Sequence, residues 1–165
     1  MDNVTIQIQL LKIKEKRFDL QTDHITSQIL QTQNFHVGMS ILTTPYLTDN
    51  QIKLQITIDY HYTNNVLVTT PLFYIMEIWF GIKDLTHFVK EKEGNILIKH
   101  ELLALLLGIS IGTIRGMIAH RCQDTVFEAY PLPIINITHL MAHLQQRKNI
   151  LEEIDIAPIF LSRIH

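Results

Sequence analysis

The sequence predicts an α+β fold: a four-stranded antiparallel sheet with two C-terminal helices packed on one face of it. Strand-like alternation fills the first half and helical periodicity the second, and the two do not interleave. A parallel sheet would need a helical crossover between successive strands. The segment from Gln51 to Tyr62 alternates apolar and polar residues without a break. The segment from Leu72 to Ile82 is instead apolar on both faces, as a strand covered on two sides would be.

The first strand opens with Val4, Ile6, Ile8 and Leu10 at alternate positions; the parity slips at Leu11 and resumes with Ile13, which predicts a bulge or a sharp bend. The polar stretch Gln21 to Gln33 reads as a crossover. Phe35, Val37, Met39 and Ile41 mark the second strand, and Pro45 with Thr48-Asp49-Asn50 marks a turn. In the third, Ile52, Leu54, Ile56, Ile58, Tyr60 and Tyr62 share one face, and Asn64-Asn65 suits the positive φ values of a tight hairpin. The fourth sets Leu72, Tyr74, Met76, Ile78 and Phe80 against Phe73, Ile75 and Trp79.

A helix from about Lys99 to His120 follows. Ala104, Gly108, Gly112 and Gly116 sit four apart and form one stripe of small side chains. An interior glycine weakens a helix by about 1 kcal/mol relative to alanine, so close approach of another backbone is expected as the offset. Pro131 and Pro133 break the chain, and Asn136 is placed to cap a last helix carrying Ile137, Leu140, Met141 and Leu144. The tail from Ile150 to His165 is still apolar and does not read as disordered. The chain reads as one domain over 1–165: sheet in 1–98, helices in 99–149, and an apolar extension in 150–165.

A chain of 165 residues can bury a core without disulfides or metals. Charged residues make up 18%, below the usual ~25%. Gln, Asn, Thr and His take their place, which suits polar but uncharged strand faces or an oligomer with much of its surface covered. The net charge of −2 and the lack of a basic tract argue against nucleic acid and anionic membranes. Cys122 is the single cysteine, so no intramolecular disulfide can form, and Met1-Asp2-Asn3-Val4 lacks the pattern of a signal peptide. A cytoplasmic location is expected. The apolar run from Leu102 to Ile114 would rise only ~20 Å as a helix against ~30 Å of hydrocarbon, so it is expected to be buried in protein rather than in a membrane.

Sites for chemistry are weak. Gly108-Ile109-Ser110-Ile111-Gly112 lies inside a helical run, with no preceding strand and no GKS or GKT, so it does not read as a phosphate loop. His139 and His143 share a helix face but need a third ligand, such as His120, to hold zinc. Cys122 and His120 are two apart and point in different directions on a helix. Ser110 lacks the GxSxG context of a nucleophile elbow. The expectation is a protein without catalytic residues, metal or cofactor.

Two segments resemble the SecB family of protein-export chaperones. Thr5-Ile6-Gln7-Ile8-Gln9 through Phe18-Asp19 is similar to the family's opening strand, an FQIQ-like run followed by Phe-Glu. Ile109 to Leu140 resembles its long helix, Pro-rich link and last helix, through His120-Arg121-Cys122, Phe127-Glu128-Ala129-Tyr130-Pro131-Leu132-Pro133 and Ile135-Asn136-Ile137. Glu77-Ile78 matches a Glu-Val pair in the family's fourth strand. The family's Phe-Pro-Tyr-Ala-Arg is missing from the long helix, Cys122 replaces a turn glycine, and the tail is apolar where the family's is often acidic.

The resemblance implies a dimer of dimers that holds unfolded polypeptides without ATP and passes preproteins to the translocase ATPase SecA. A chaperone dedicated to one partner, such as an antitoxin, and a structural or adaptor oligomer are the alternatives. The expected client groove is bordered by Phe35, Phe73, Ile75, Trp79, Phe127 and Tyr130. Glu15, Asp19 and Glu77, with Ile75, fall on the positions of the family's acidic translocase-binding surface. Glu15 and Asp19 are four apart and would face one side of an unbroken strand, opposite Lys12, Lys14 and Lys16. Ala104, Gly108, Gly112 and Gly116 fall on the helix expected between the dimers.

Overall fold

The alternating segments form four long strands: β1 (Ile8–Leu20), β2 (Asn34–Tyr46), β3 (Gln51–Asn64) and β4 (Leu67–Ile82). In the computed structural model, which describes residues 5–32, 34–64 and 66–146, they make one antiparallel sheet in the order β1-β4-β3-β2. Because β2, β3 and β4 follow one another as a meander, β1 reaches its place beside β4 only through a crossing connection between β1 and β2. That connection carries a short helix, α1 (Ser27–Thr32), hidden from a reading that saw only polar residues there. The Thr26 hydroxyl accepts from the Ile29 N–H at its start, and Leu30 is buried.

The strands outrun their expected ends where proline is tolerated. β2 continues through Pro45 because it is an edge strand, where a missing N–H breaks no ladder. β4 is internal, yet it begins at Leu67 and includes Pro71. The register slips there, from Tyr60 opposite Leu72 to Tyr62 opposite Thr69, and the Pro71 carbonyl accepts from Gln21 N–H at 2.8 Å. Of the expected Asn64-Asn65 turn, Asn65 lies outside the described residues.

A second small sheet was not foreseen: β5 (Val89–Lys92) and β6 (Asn95–Ile98) form a hairpin. Its turn residues, Glu93 and Gly94, have φ of 53° and 77°, the left-handed pair that a two-residue hairpin requires. The long helix α2 (His100–Arg121) and the last helix α3 (Ile137–Gln146) fall where the sequence puts them. The Asn136 side chain accepts from His139 N–H at 3.1 Å and caps α3, as expected. The apolar extension 150–165 lies outside the described residues.

The inner face of the sheet is the core. Ile52 through Tyr62 of β3 and Leu72 through Ile82 of β4, at alternate positions, join one cluster with Leu102, Leu106, Ile111, Ile114 and Ile118 of α2 and with Leu140, Met141 and Leu144 of α3. By length and composition α2 could cross a membrane, but eight of its residues are buried within the protein.

Candidate functional site

The first chain-specific feature is on β1. Two register shifts, between Leu10 and Lys12 and between Glu15 and Arg17, each insert one residue. The first is the expected parity slip at Leu11. The second corrects the sequence-based surface. Glu15 stands opposite Met76 and faces inward, while Asp19 stands opposite Phe73 and faces outward. Glu15 accepts from the Tyr74 hydroxyl at 3.0 Å and from Arg121 at the end of α2 at 2.7 Å. Tyr74 is also packed edge-on to Phe18, and burial together with the hydrogen bond to Glu15 raises its pKa. Glu15 is therefore a tie between the edge strand and α2 and shares no surface with Asp19.

The outer face carries a different chemistry from the expected acidic one. Lys12, Lys14 and Arg17 stand in register beside Trp79, Glu77 and Ile75. Glu77 is 9% exposed and lies 3.8 Å from both Lys16 and Lys53. Arg17 pairs with Asp19 at 2.5 Å and spreads over the Phe73 ring at 4.9 Å. On the other side Tyr46 stacks on Trp79 at 5.3 Å, with Lys53 above the indole at 5.5 Å. Asp59 is held by His61 at 2.5 Å, and the His61 ring lies 5.6 Å from that of His36. Apart from Gly38 and Glu77, the outer-face positions are half-buried or exposed.

The expected groove residues divide between the two faces. Phe73, Ile75 and Trp79 line the outer face and are half-buried. Phe35 and Phe127 are buried, stacked on each other at 6.1 Å and against Tyr60 at 5.4 and 6.0 Å. Tyr130 packs edge-on to Phe35 at 6.0 Å. A groove bordered by all six is not formed: alternation sends Phe35 inward with Val37 and Met39, where the link after α2 closes over it.

The glycine stripe faces outward. Gly108, Gly112 and Gly116 are exposed, with no atom of the described residues within 4 Å of where a Cβ would sit, and Ala104 is half-buried. Exposed Leu105 and Ile109 flank them, so from Leu102 to Ile114 this face carries no charge. Among the described residues, no backbone of this chain approaches the glycines as was expected. Sequence reasoning missed Leu10, Leu11 and Ile13 on the β1 edge, 41–48% exposed, and Val66, Leu67 and Val68 at the β3–β4 tip, 65–90% exposed.

Cys122 is buried, and burial pushes its thiol up to about 11, the opposite of what a nucleophile needs. Among the described residues no three His, Cys, Asp or Glu side chains gather as metal ligands. No family model and no curated protein matches this chain.

Proposed function

We propose that this chain is an oligomeric, ATP-independent holdase of the SecB type, acting in the cytoplasm on unfolded polypeptides. The observation that carries the proposal is apolar surface left open on a chain with a well-filled core. The uncharged face of α2 from Leu105 to Gly112, ~10 Å long, the β1 edge and the β3–β4 tip are exposed among the described residues. A second copy covers the α2 face, where glycines let helices approach closely. The outer-face residues Phe73, Ile75 and Trp79 remain for clients. The order of elements, a four-stranded antiparallel sheet followed by two helices, supports the same reading. Delivery to SecA through an acidic sheet surface is not part of it, because Glu15 and Asp19 face opposite sides and Glu77 lies among lysines.

The test is aggregation suppression. A slow-folding client is diluted from denaturant with and without this protein, in the absence of nucleotide, beside a measurement of native mass. Suppression near one oligomer per client supports the proposal, and no suppression by an assembled oligomer removes it.

A further inference from the structure

We propose that the outer face of the sheet binds extended polypeptide segments in which acidic and apolar residues alternate, their carboxylates along Lys12 and Lys14 and their apolar side chains along Trp79, Ile75 and Phe73. The proposal rests on the holdase reading for its biological setting and adds the chemistry of the segment held.

The charge balance comes first. Five cations stand on this face or its β1 margin, Lys12, Lys14, Lys16, Arg17 and Lys53, against three carboxylates, Asp19, Asp59 and Glu77. The whole chain is net −2, so the cations are concentrated here. Each of the three carboxylates already has a partner: Asp19 has Arg17, Asp59 has His61, and Glu77 has Lys16 and Lys53. Among the described residues Lys12 and Lys14 make no ion pair, and both are exposed. The unneutralised charge of the face is therefore positive, and it selects an anionic partner.

Spacing comes second. Lys12, Lys14 and Arg17 stand beside successive outward residues of β4, so the cations repeat every ~6.7 Å along the sheet. Alternate side chains of an extended peptide repeat at the same distance. The β4 row of Trp79, Ile75 and Phe73 runs ~4.8 Å to one side. A peptide lying between the two rows sends one set of side chains to the lysines and the other to the apolar row. The second bulge is what brings Arg17 to this face; in an unbroken strand it would point into the core. A polyphosphate chain is the weaker fit, because paired carboxylates occupy part of the same surface.

The experiment is fluorescence anisotropy on the intact protein. The probes are a labelled peptide of Glu-Leu repeats, the same peptide with Lys in place of Glu, and an oligouridylate of similar length. Emission of Trp79, the single tryptophan, gives a second signal. The acidic peptide is expected to bind most tightly, shift Trp79 emission and weaken with salt. Lys12→Gln with Lys14→Gln is expected to lower its affinity about tenfold, while circular dichroism and native mass stay unchanged. Equal binding of both peptides, tighter binding of the oligouridylate, or an unchanged affinity in the double variant would overturn the proposal. Aggregation suppression by the wild type is read separately. Charge-selective peptide binding without suppression removes the holdase and leaves this site; suppression without charge selectivity does the reverse.

Discussion

Alanine at Gly108, Gly112 and Gly116 together separates an interface from a solvent-facing helix by sign. No atom of the described residues lies within 4 Å of any of the three Cβ positions, so this part of the subunit has room for all three methyl groups. Each exchange removes the backbone-entropy penalty of an interior glycine, ~0.8–1 kcal/mol, so the subunit gains about 2.5–3 kcal/mol. For a chain of this size that raises Tm by about 5–12 °C. A helix–helix contact between subunits reverses the outcome for the assembly. Methyl groups forced into a close-packed contact cost about 1–3 kcal/mol, a loss of association of roughly 5- to 150-fold. The proposed oligomer therefore predicts a triple variant of lower mass by light scattering at micromolar concentration. Its subunit outlasts the dissociated wild type in urea, and its midpoint no longer depends on protein concentration. An unchanged mass with the full rise in Tm would refute the interface, because the stripe would then face water in the assembly as well.

Gly38→Ala should destabilise by about 1–2 kcal/mol although alanine usually improves a strand position, since the new methyl meets the Asp59 carboxylate, with Cγ at 2.8 Å. Adding Asp59→Ala should recover most of the loss, and urea titrations of the four-member cycle would show it. Phe127→Ala empties the space beside Phe35 and Tyr60 and should cost about 3–5 kcal/mol in urea unfolding; a loss below about 1.5 kcal/mol would mean that the link does not close this end of the core. Cys122, pushed up to about 11 from 9.0 by burial, should resist iodoacetamide at mildly alkaline pH until the protein unfolds. Because the folded thiol holds its proton more tightly than the unfolded one, the Cys122 contribution is complete below pH ~9 and falls away as pH rises toward ~11; Cys122→Ala should flatten that part of the stability profile.

Most of the sheet was legible because each strand obeys a period of two against a single core. Ile52 to Tyr62 alternates without interruption, and every apolar member is buried. The Asn136 cap was legible because the residue types that accept from a helix N-terminus are few. The hidden elements are those whose local signal is weak. The β5–β6 turn uses Glu93-Gly94 rather than Asn-Gly, and α1 rests on Leu30 in a polar stretch. The extent of β4 was hidden by Pro71, which the strand absorbs with a register shift.

The candidate surface was the least legible part, and one inserted residue accounts for the parting of its two expected acids. Parity from Ile13 onward puts Glu15 and Asp19 on one side and Lys12, Lys14 and Lys16 on the other. The irregularity between Glu15 and Arg17 leaves Glu15 inside, bound to Tyr74 and Arg121, and moves Arg17 and Asp19 outside. The two acids expected on one margin are thereby parted, while Lys12 and Lys14, which precede the irregularity, face outward beside Trp79 and Glu77 with or without it. No residue type in the run Lys14-Glu15-Lys16-Arg17 marks the bulge, since each tolerates a strand as well as its neighbours do. What selects it is the partner strand: Phe18 must meet Tyr74 inside, and Phe18 has the wrong parity to do so from Glu15 unless one residue is skipped. The separation of Glu15 from Asp19 is thus decided by an aromatic contact in the core.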